Sequence, residues 1–291
     1  MEMAPILTGA DERVQVEPMT SPPYKWICFL TIESILGKKF VATGFKIHLP
    51  DVDRTAVVTS GHCTFVDGAY AARITVQFPG QMLIEVGPDD LYAPPEYVSS
   101  SSVEHNYGVI LLPGLSDDGF GWSAIVKGEE LDNRHVMNCE FPADKPPGSM
   151  WIKGYTIASH TNKTFELHDM SSACSGGSNG SPVYSWYGGY WTALGVCSCE
   201  GRSNTVLRFT VEMISRFLQR MNGLKLKTLR SVAFSDIYVR CDGRGVTQWA
   251  RPGSGTVNCQ YKPPREWEGF YIYPVEVNPC LALQKIGRAH V

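Results

Sequence analysis

The 291-residue chain carries 26 Lys and Arg against 29 Asp and Glu, a formal charge of −3, with 43% hydrophobic and 19% charged residues. This balance describes a globular protein with a core of its own. It builds no basic field that would favour nucleic acid or an anionic membrane as partner, and no apolar run reaches the ~18 residues of a membrane span.

The opening stretch MEMAPILTGADERVQVE has no basic segment followed by an apolar core, so no signal peptide is legible. From residue 24 to 220 the chain reads as many short strands: YKWICFLTI, FVATGFKIHL, TAVVTS, ARITVQF, YGVILL, MWIKGYTIA, SPVYSW, YWTALGVC and TVLRFT. They are rich in β-branched and aromatic residues and are broken by Gly, Pro, Asp and Ser. That spacing predicts an all-β barrel or sandwich rather than βαβ units. One helix stands out. Thr210 is its N-cap, and Met213, Ile214, Phe217, Leu218 and Met221 form one apolar stripe ahead of an Asn222-Gly223 stop. The basic linker KLKTLR follows, and a domain boundary is expected near residue 226. Beyond it, SVAFSDIYVRCDGRGVTQ and GSGTVNCQY alternate in strand fashion around tight turns.

Nine cysteines leave at least one thiol without an intramolecular partner. Cys197-Ser198-Cys199 is too tight for the usual zinc or redox spacing, so no metal and no cofactor is expected. Buried thiols, or one or two disulfides, are the readings left open. The sequon Asn162-Lys163-Thr164 would be used only in a secreted protein.

Three stretches carry chemistry when read together. TAVVTSGHC brings His62 to the end of a strand; EHNYGVILLPG spans residues 104–114; CSGGSNGSPVY spans residues 174–184. In this order, among short strands, the chain resembles the trypsin/chymotrypsin-fold serine peptidases, and within them the bacterial-type glutamyl endopeptidases, over residues 6–222. ATGFKI and VVTSGHC resemble the strand pair leading to the catalytic histidine. FPADKPPGSMW resembles GYPxDKPxGTMW, and SGGSNGSPVY resembles SGGNSGSPVY. The resemblance implies a double six-stranded β-barrel with one C-terminal helix.

It also assigns roles. His62 matches the general base. Asn106 stands where the family has the aspartate that orients the imidazole, an exchange that costs roughly 10⁴ in turnover where it has been made. Asn179 stands at the nucleophile's place, and a carboxamide is no useful acyl acceptor. Ser178 is the alternative nucleophile, displaced by one residue; Ser181 precedes a proline and enters the next strand. Backbone N–H groups of Gly177 and Asn179 would form the oxyanion hole. Ser175 and Cys197 would line the substrate pocket, Cys197 standing where the family has a glutamate-binding histidine. Ala42 stands where the cysteine usually paired with Cys63 would be.

Residues 231–276 resemble one repeat of a β-trefoil of the fascin or ricin-B kind, which implies sugar or actin binding. One repeat cannot bury its apolar face alone. The expected organisation is a peptidase-like domain at 1–224, an incomplete trefoil-like repeat at 228–284, and a tail at 285–291 that reads like translated sequencing adapter. The family is secreted; the partner is a polypeptide substrate or ligand. Two functions compete: a peptidase homologue that binds without effective catalysis, and a serine endopeptidase working through His62 and Ser178.

Overall fold

The structure, a computed structural model, describes residues 11–49, 54–114, 118–122, 130–168, 176–187, 189–198 and 205–220, together with four short strands beyond residue 223. The chain divides into two compact units, Met1–Gly223 and Leu224–Val291.

In the first unit the strands are β1 (Val14–Gln15), β2 (Ile27–Glu33), β3 (Lys39–Ile47), β4 (Thr55–Ser60), β5 (Phe65–Val66), β6 (Ala69–Tyr70), β7 (Arg73–Gln77), β8 (Ile84–Val86) and β9 (Leu91–Tyr92). They continue with β10 (Tyr107–Leu112), β11 (Gly121–Trp122), β12 (His135–Glu140), β13 (Trp151–His160), β14 (Thr164–Leu167), β15 (Pro182–Tyr187), β16 (Tyr190–Cys197) and β17 (Thr205–Arg208). The helices are α1 (Gly61–Thr64), α2 (Pro95–Ser100) and α3 (Val211–Arg220).

Two sheets hold most of these strands. One runs β8-β7-β2-β3-β4-β10-β9 and the other β1-β13-β12-β15-β16-β17-β14. In the second, β14 also pairs with β13, so six strands close into a ring. Setting aside the two-residue strands, each sheet has six, and the pairing order repeats. The first strand of each set, β2 or β12, lies between the second and the fourth; the third lies beside the sixth. The fold is thus the chymotrypsin-type double β-barrel, reached twice by the same winding.

Side-chain alternation explains the strands. β2 buries Cys28, Leu30 and Ile32 and turns Phe29, Thr31 and Glu33 outward, the pattern of a strand with one covered face. Every residue of β4 and β10 is buried, so both faces are covered; β10 is apolar from Val109 to Leu112, and in β4 Ala56–Val58 lie between the buried hydroxyls of Thr55, Thr59 and Ser60. Leu30, Ile74, Val76 and Ile110 lie in the first barrel's core; Val136, Phe165, Val183 and Val206 lie in the second's. Edge-to-face rings join the halves: Phe29 meets Phe141 at 5.7 Å and Phe45 meets Phe209 at 6.1 Å between centroids.

α3 begins as the sequence requires. The Thr210 hydroxyl accepts the Met213 N–H at 3.1 Å, a side-chain N-cap. Met213, Ile214 and Phe217 are buried, and Phe217 packs edge-on to Tyr107 of β10 at 5.7 Å.

In the second unit, Tyr238–Cys241 pairs antiparallel with Val257–Gln260, and Phe270–Tyr273 with Ala282–Lys285. The rest of the trefoil-like stretch and the tail from 286 lie outside the described residues.

Candidate functional site

The register of β4 against β10 builds the first half of the site. Tyr107 lies opposite Ser60, so the residues just beyond, His62 on α1 and Asn106 before β10, face one another. Gly61 makes the approach possible: a Cβ there would lie 3.0 Å from Asn106 Oδ1. Asn106 is fully buried and His62 half-buried. The Asn106 Oδ1 accepts the His62 backbone N–H at 2.9 Å. The imidazole Nδ1 lies 3.2 Å from the same oxygen and 3.1 Å from Asn106 Nδ2.

That near-equality is the chemical difference from a carboxylate. Facing Oδ1, the ring carries its proton on Nδ1, and Nε2 is the nitrogen that can accept one. Facing Nδ2, the ring carries its proton on Nε2 and has lost its use as a base. No carboxylate replaces the amide from the same turn: Glu104 is exposed and paired with Lys163 Nζ at 2.8 Å, which holds its carboxyl below the ordinary range. The Asn106 backbone carbonyl accepts the buried Ser198 hydroxyl at 2.9 Å.

The second half is the loop of residues 176–181, between β14 and β15. Gly177 and Gly180 both have positive φ, +96° and +84°. A Cβ would lie 2.3 Å from the Phe141 carbonyl oxygen at position 177 and 2.2 Å from the Thr43 carbonyl oxygen at position 180, so only glycine fits either place. The loop is tied to both barrels. Thr43 of β3 donates its N–H to the Asn179 carbonyl at 2.9 Å and its hydroxyl to the Gly177 carbonyl at 2.7 Å. The same hydroxyl accepts the Phe141 N–H at 2.9 Å. The Gly180 N–H reaches the Cys197 carbonyl at 2.7 Å, which also accepts the Ser60 hydroxyl at 2.8 Å.

Asn179 is the half-exposed residue of this loop, while Ser178 and Ser181 are fully buried. The Ser178 hydroxyl donates to the carboxylate of Glu140, the last residue of β12. The Ser181 hydroxyl accepts from Asn138 Nδ2 at 2.8 Å. Glu140 is 4% exposed, and burial raises its carboxyl above the ordinary value while Ser178 and Arg13 favour the charged form. Its cation is Arg13, whose guanidinium lies 3.2 Å from Glu140 Oε1.

Cys197 is fully buried in the second core, its thiol 3.7 Å from Asn138 Nδ2 and its pKa pushed up to about 12 by burial. Ser175 lies outside the described residues. Cys28, Cys63, Cys139 and Cys197 are buried free thiols, and there is no disulfide among the described residues. Nor do those residues hold a cluster of His, Cys, Asp and Glu fit for a metal ion.

Reading the sequence alone missed Thr43, Ser198, Arg13 and Glu140. Thr43 and Glu140 sit in strands whose partners are set by tertiary contacts. Arg13 and Glu140 are 127 residues apart, and nothing local marks them as a pair.

No protein-family profile matches the sequence, and no curated protein matches it. Solved structures do. A Glu endopeptidase solved in complex with MPD superposes with a TM-score of 0.60 at 17% identity, over 75% of this chain and 100% of that one. The protease Anisep from Arthrobacter nicotinovorans gives 0.53 at 16% identity, over 68% and 96%. A thermostable serine protease, AL20, from an extremophilic microorganism gives 0.52 at 15% identity, over 68% and 95%. At such identities the likeness establishes architecture: the first unit has the fold of the chymotrypsin-type serine proteases.

Proposed function

We propose that the chain is a serine-endopeptidase homologue, of the glutamyl-endopeptidase kind, whose catalysis is impaired and which acts by binding polypeptide. One observation carries this reading. The residue at the nucleophile's place is Asn179, and the neighbouring hydroxyl, on Ser178, is fully buried beside the Glu140 carboxylate. A nucleophile must reach its base, and errors of ~1 Å already cost about 10²-fold. Asn106 supports the same conclusion, because it holds His62 without a charge to stabilise an imidazolium. The glycine-built loop would keep the backbone N–H groups of Gly177 and Asn179 as an acceptor for a carbonyl or carboxylate of the ligand. Residues 231–276 would add glycan or actin binding through their trefoil resemblance. No cofactor is required.

The test is covalent labelling with a fluorophosphonate, which reacts only with an activated serine. The native chain is expected to stay unlabelled, and the Asn106→Asp/Asn179→Ser variant to label at residue 179 and gain peptide hydrolysis. Labelling of the native chain that disappears in Ser178→Ala would overturn the reading. It would establish the rival, an endopeptidase working through His62 and Ser178.

A further inference from the structure

Glu140 and Arg13 have no part in the proposed binding role, yet both are buried. The Glu140 side chain is 5% exposed and that of Arg13 6%. A charge so placed needs a reason, since its desolvation is only partly repaid by its partner. Their surroundings supply one. β1 pairs with β13, with Gln15 opposite Trp151, and Trp151 lies opposite Glu140 on β12. Three strands thus carry the segment before Gln15 to the end of β12. There Arg13 meets Glu140 at 3.2 Å and Asp144 Oδ1 at 3.1 Å, and Nε meets Asp11 Oδ1 at 2.9 Å. Lys145 fixes the other oxygen of Asp11 at 2.6 Å. The Val16 N–H, bonded to the Met150 carbonyl at 2.9 Å, closes the segment's far end. The chain just after Glu140 meets the loop through its backbone: the Ala143 N–H donates to the Gly176 carbonyl at 2.5 Å and the Phe141 carbonyl lies against Gly177, while the Glu140 carboxylate takes the hydroxyl of Ser178, the residue between the two backbone amides of the candidate acceptor site.

We propose that residues 11–16 form a strap that sets the shape of the 176–181 loop, with Arg13 holding Glu140 and Glu140 holding Ser178. Arg13, Glu140 and Ser178 are positioning residues in this relay. The relay goes beyond the binding role, because it concerns how the loop is shaped and not what it receives. It also gives Ser178 a purpose other than attack. A hydrogen bond to a charged acceptor is about twice as strong as one to a neutral group. The guanidinium arriving from the strap favours the charged form of the carboxylate that Ser178 meets, against the burial that disfavours it.

Hydrogen exchange of the full chain, read by mass spectrometry, tests the relay without any activity. Arg13→Met leaves a buried carboxylate without its cation, and amides of 176–181 are expected to exchange about tenfold faster, with β2–β4 unchanged. Arg13→Met/Glu140→Gln removes both charges and leaves an amide oxygen for Ser178, so exchange should fall back to within about threefold of the parent. Ser178→Ala should free the loop and leave residues 11–16 protected. Should Arg13→Met fail to fold, Ser178→Ala and Arg13→Met/Glu140→Gln decide the matter. Loop exchange unchanged in Ser178→Ala would overturn the proposal. So would a double variant no better protected than Arg13→Met, or acceleration spread equally over both barrels.

Discussion

Replacing Thr43 by valine tests whether the loop is held from the first barrel. The side chain is fully buried, and its hydroxyl makes two bonds, to the Gly177 carbonyl at 2.7 Å and from the Phe141 N–H at 2.9 Å. Valine keeps the shape and removes both. Each orphaned group costs about 1–3 kcal/mol, so two cost about 2–6. The methyl that replaces the hydroxyl returns about 1 kcal/mol of burial, which leaves a net loss of about 3 kcal/mol. Thr43→Ser keeps both bonds and loses one methyl, at a cost of about 1 kcal/mol. Urea unfolding followed by pulsed hydrogen exchange, peptide by peptide, reads the first unit by itself. With a slope of ~2 kcal/mol/M, Thr43→Val should lower the midpoint by about 1.5 M and Thr43→Ser by about 0.5 M. A valine variant within 0.5 M of the parent, on the order of 1 kcal/mol, would refute the reasoning. Equal losses for both variants would assign the effect to packing.

Gly177→Ala or Gly180→Ala should cost more than about 3 kcal/mol, because backbone oxygens lie 2.3 and 2.2 Å from the new Cβ; Gly148→Ala, at φ +76° with nothing within 4 Å, should cost only about 1. Thermal melts of the three variants separate clash from backbone strain. Glu140 binds its proton more tightly folded than unfolded, so its contribution makes stability fall as pH rises above the ordinary 4.5. The stability difference between parent and Glu140→Gln should therefore move in the parent's favour as pH falls from neutral to the ordinary 4.5, and no movement over that whole fall would contradict the burial argument. Glu96 has the opposite sign. Arg216 grips it at 2.6 and 2.7 Å and holds its carboxyl down to about 2, so the pair's stabilisation is present above 4.5 and lost as pH falls from there through about 2. The Glu96 side chain is 42% exposed, so Glu96→Gln should cost only about 1 kcal/mol at neutral pH and nothing in strong acid, as urea midpoints at the two pH values would record.

The short strands of an all-β barrel or sandwich are legible because their signals are local; the double barrel itself is implied by the family resemblance. Period-2 burial in β2 and the apolar run of β10 follow from neighbouring residues alone. His62, Asn106 and Asn179 stand out as candidates because each lies in a short stretch with its own turn chemistry. What those side chains do was less legible. The equal reach of Nδ1 to both atoms of the Asn106 amide depends on the β4–β10 register. The orientation of Ser178 depends on Glu140 at the end of β12, which in sequence is one carboxylate before FPADKPPG. Thr43 reads as an ordinary strand residue until β3 is laid against the loop. Short-range patterns specify strands; which buried polar group meets which is decided by long-range packing.

The two asparagines share a property that explains why the fold persists around them. Position 106 has a structural task, accepting the His62 N–H, and an amide oxygen does it at 2.9 Å as a carboxylate would. Position 179 is anchored through its backbone carbonyl, which Thr43 grips whatever side chain it bears. The loop's other ties run through Gly177, Ser178 and Gly180. None requires a hydroxyl at 179 or a charge at 106. Under the proposed function, an amide in place of a carboxylate at 106 or of a hydroxyl at 179 would remove proton chemistry and leave these ties in place. It follows that Asn106→Asp/Asn179→Ser should fold as well as the parent while differing from it by orders of magnitude toward a serine-directed probe. A double variant that loses more than about 2 kcal/mol would mean that the site had been rebuilt around its amides.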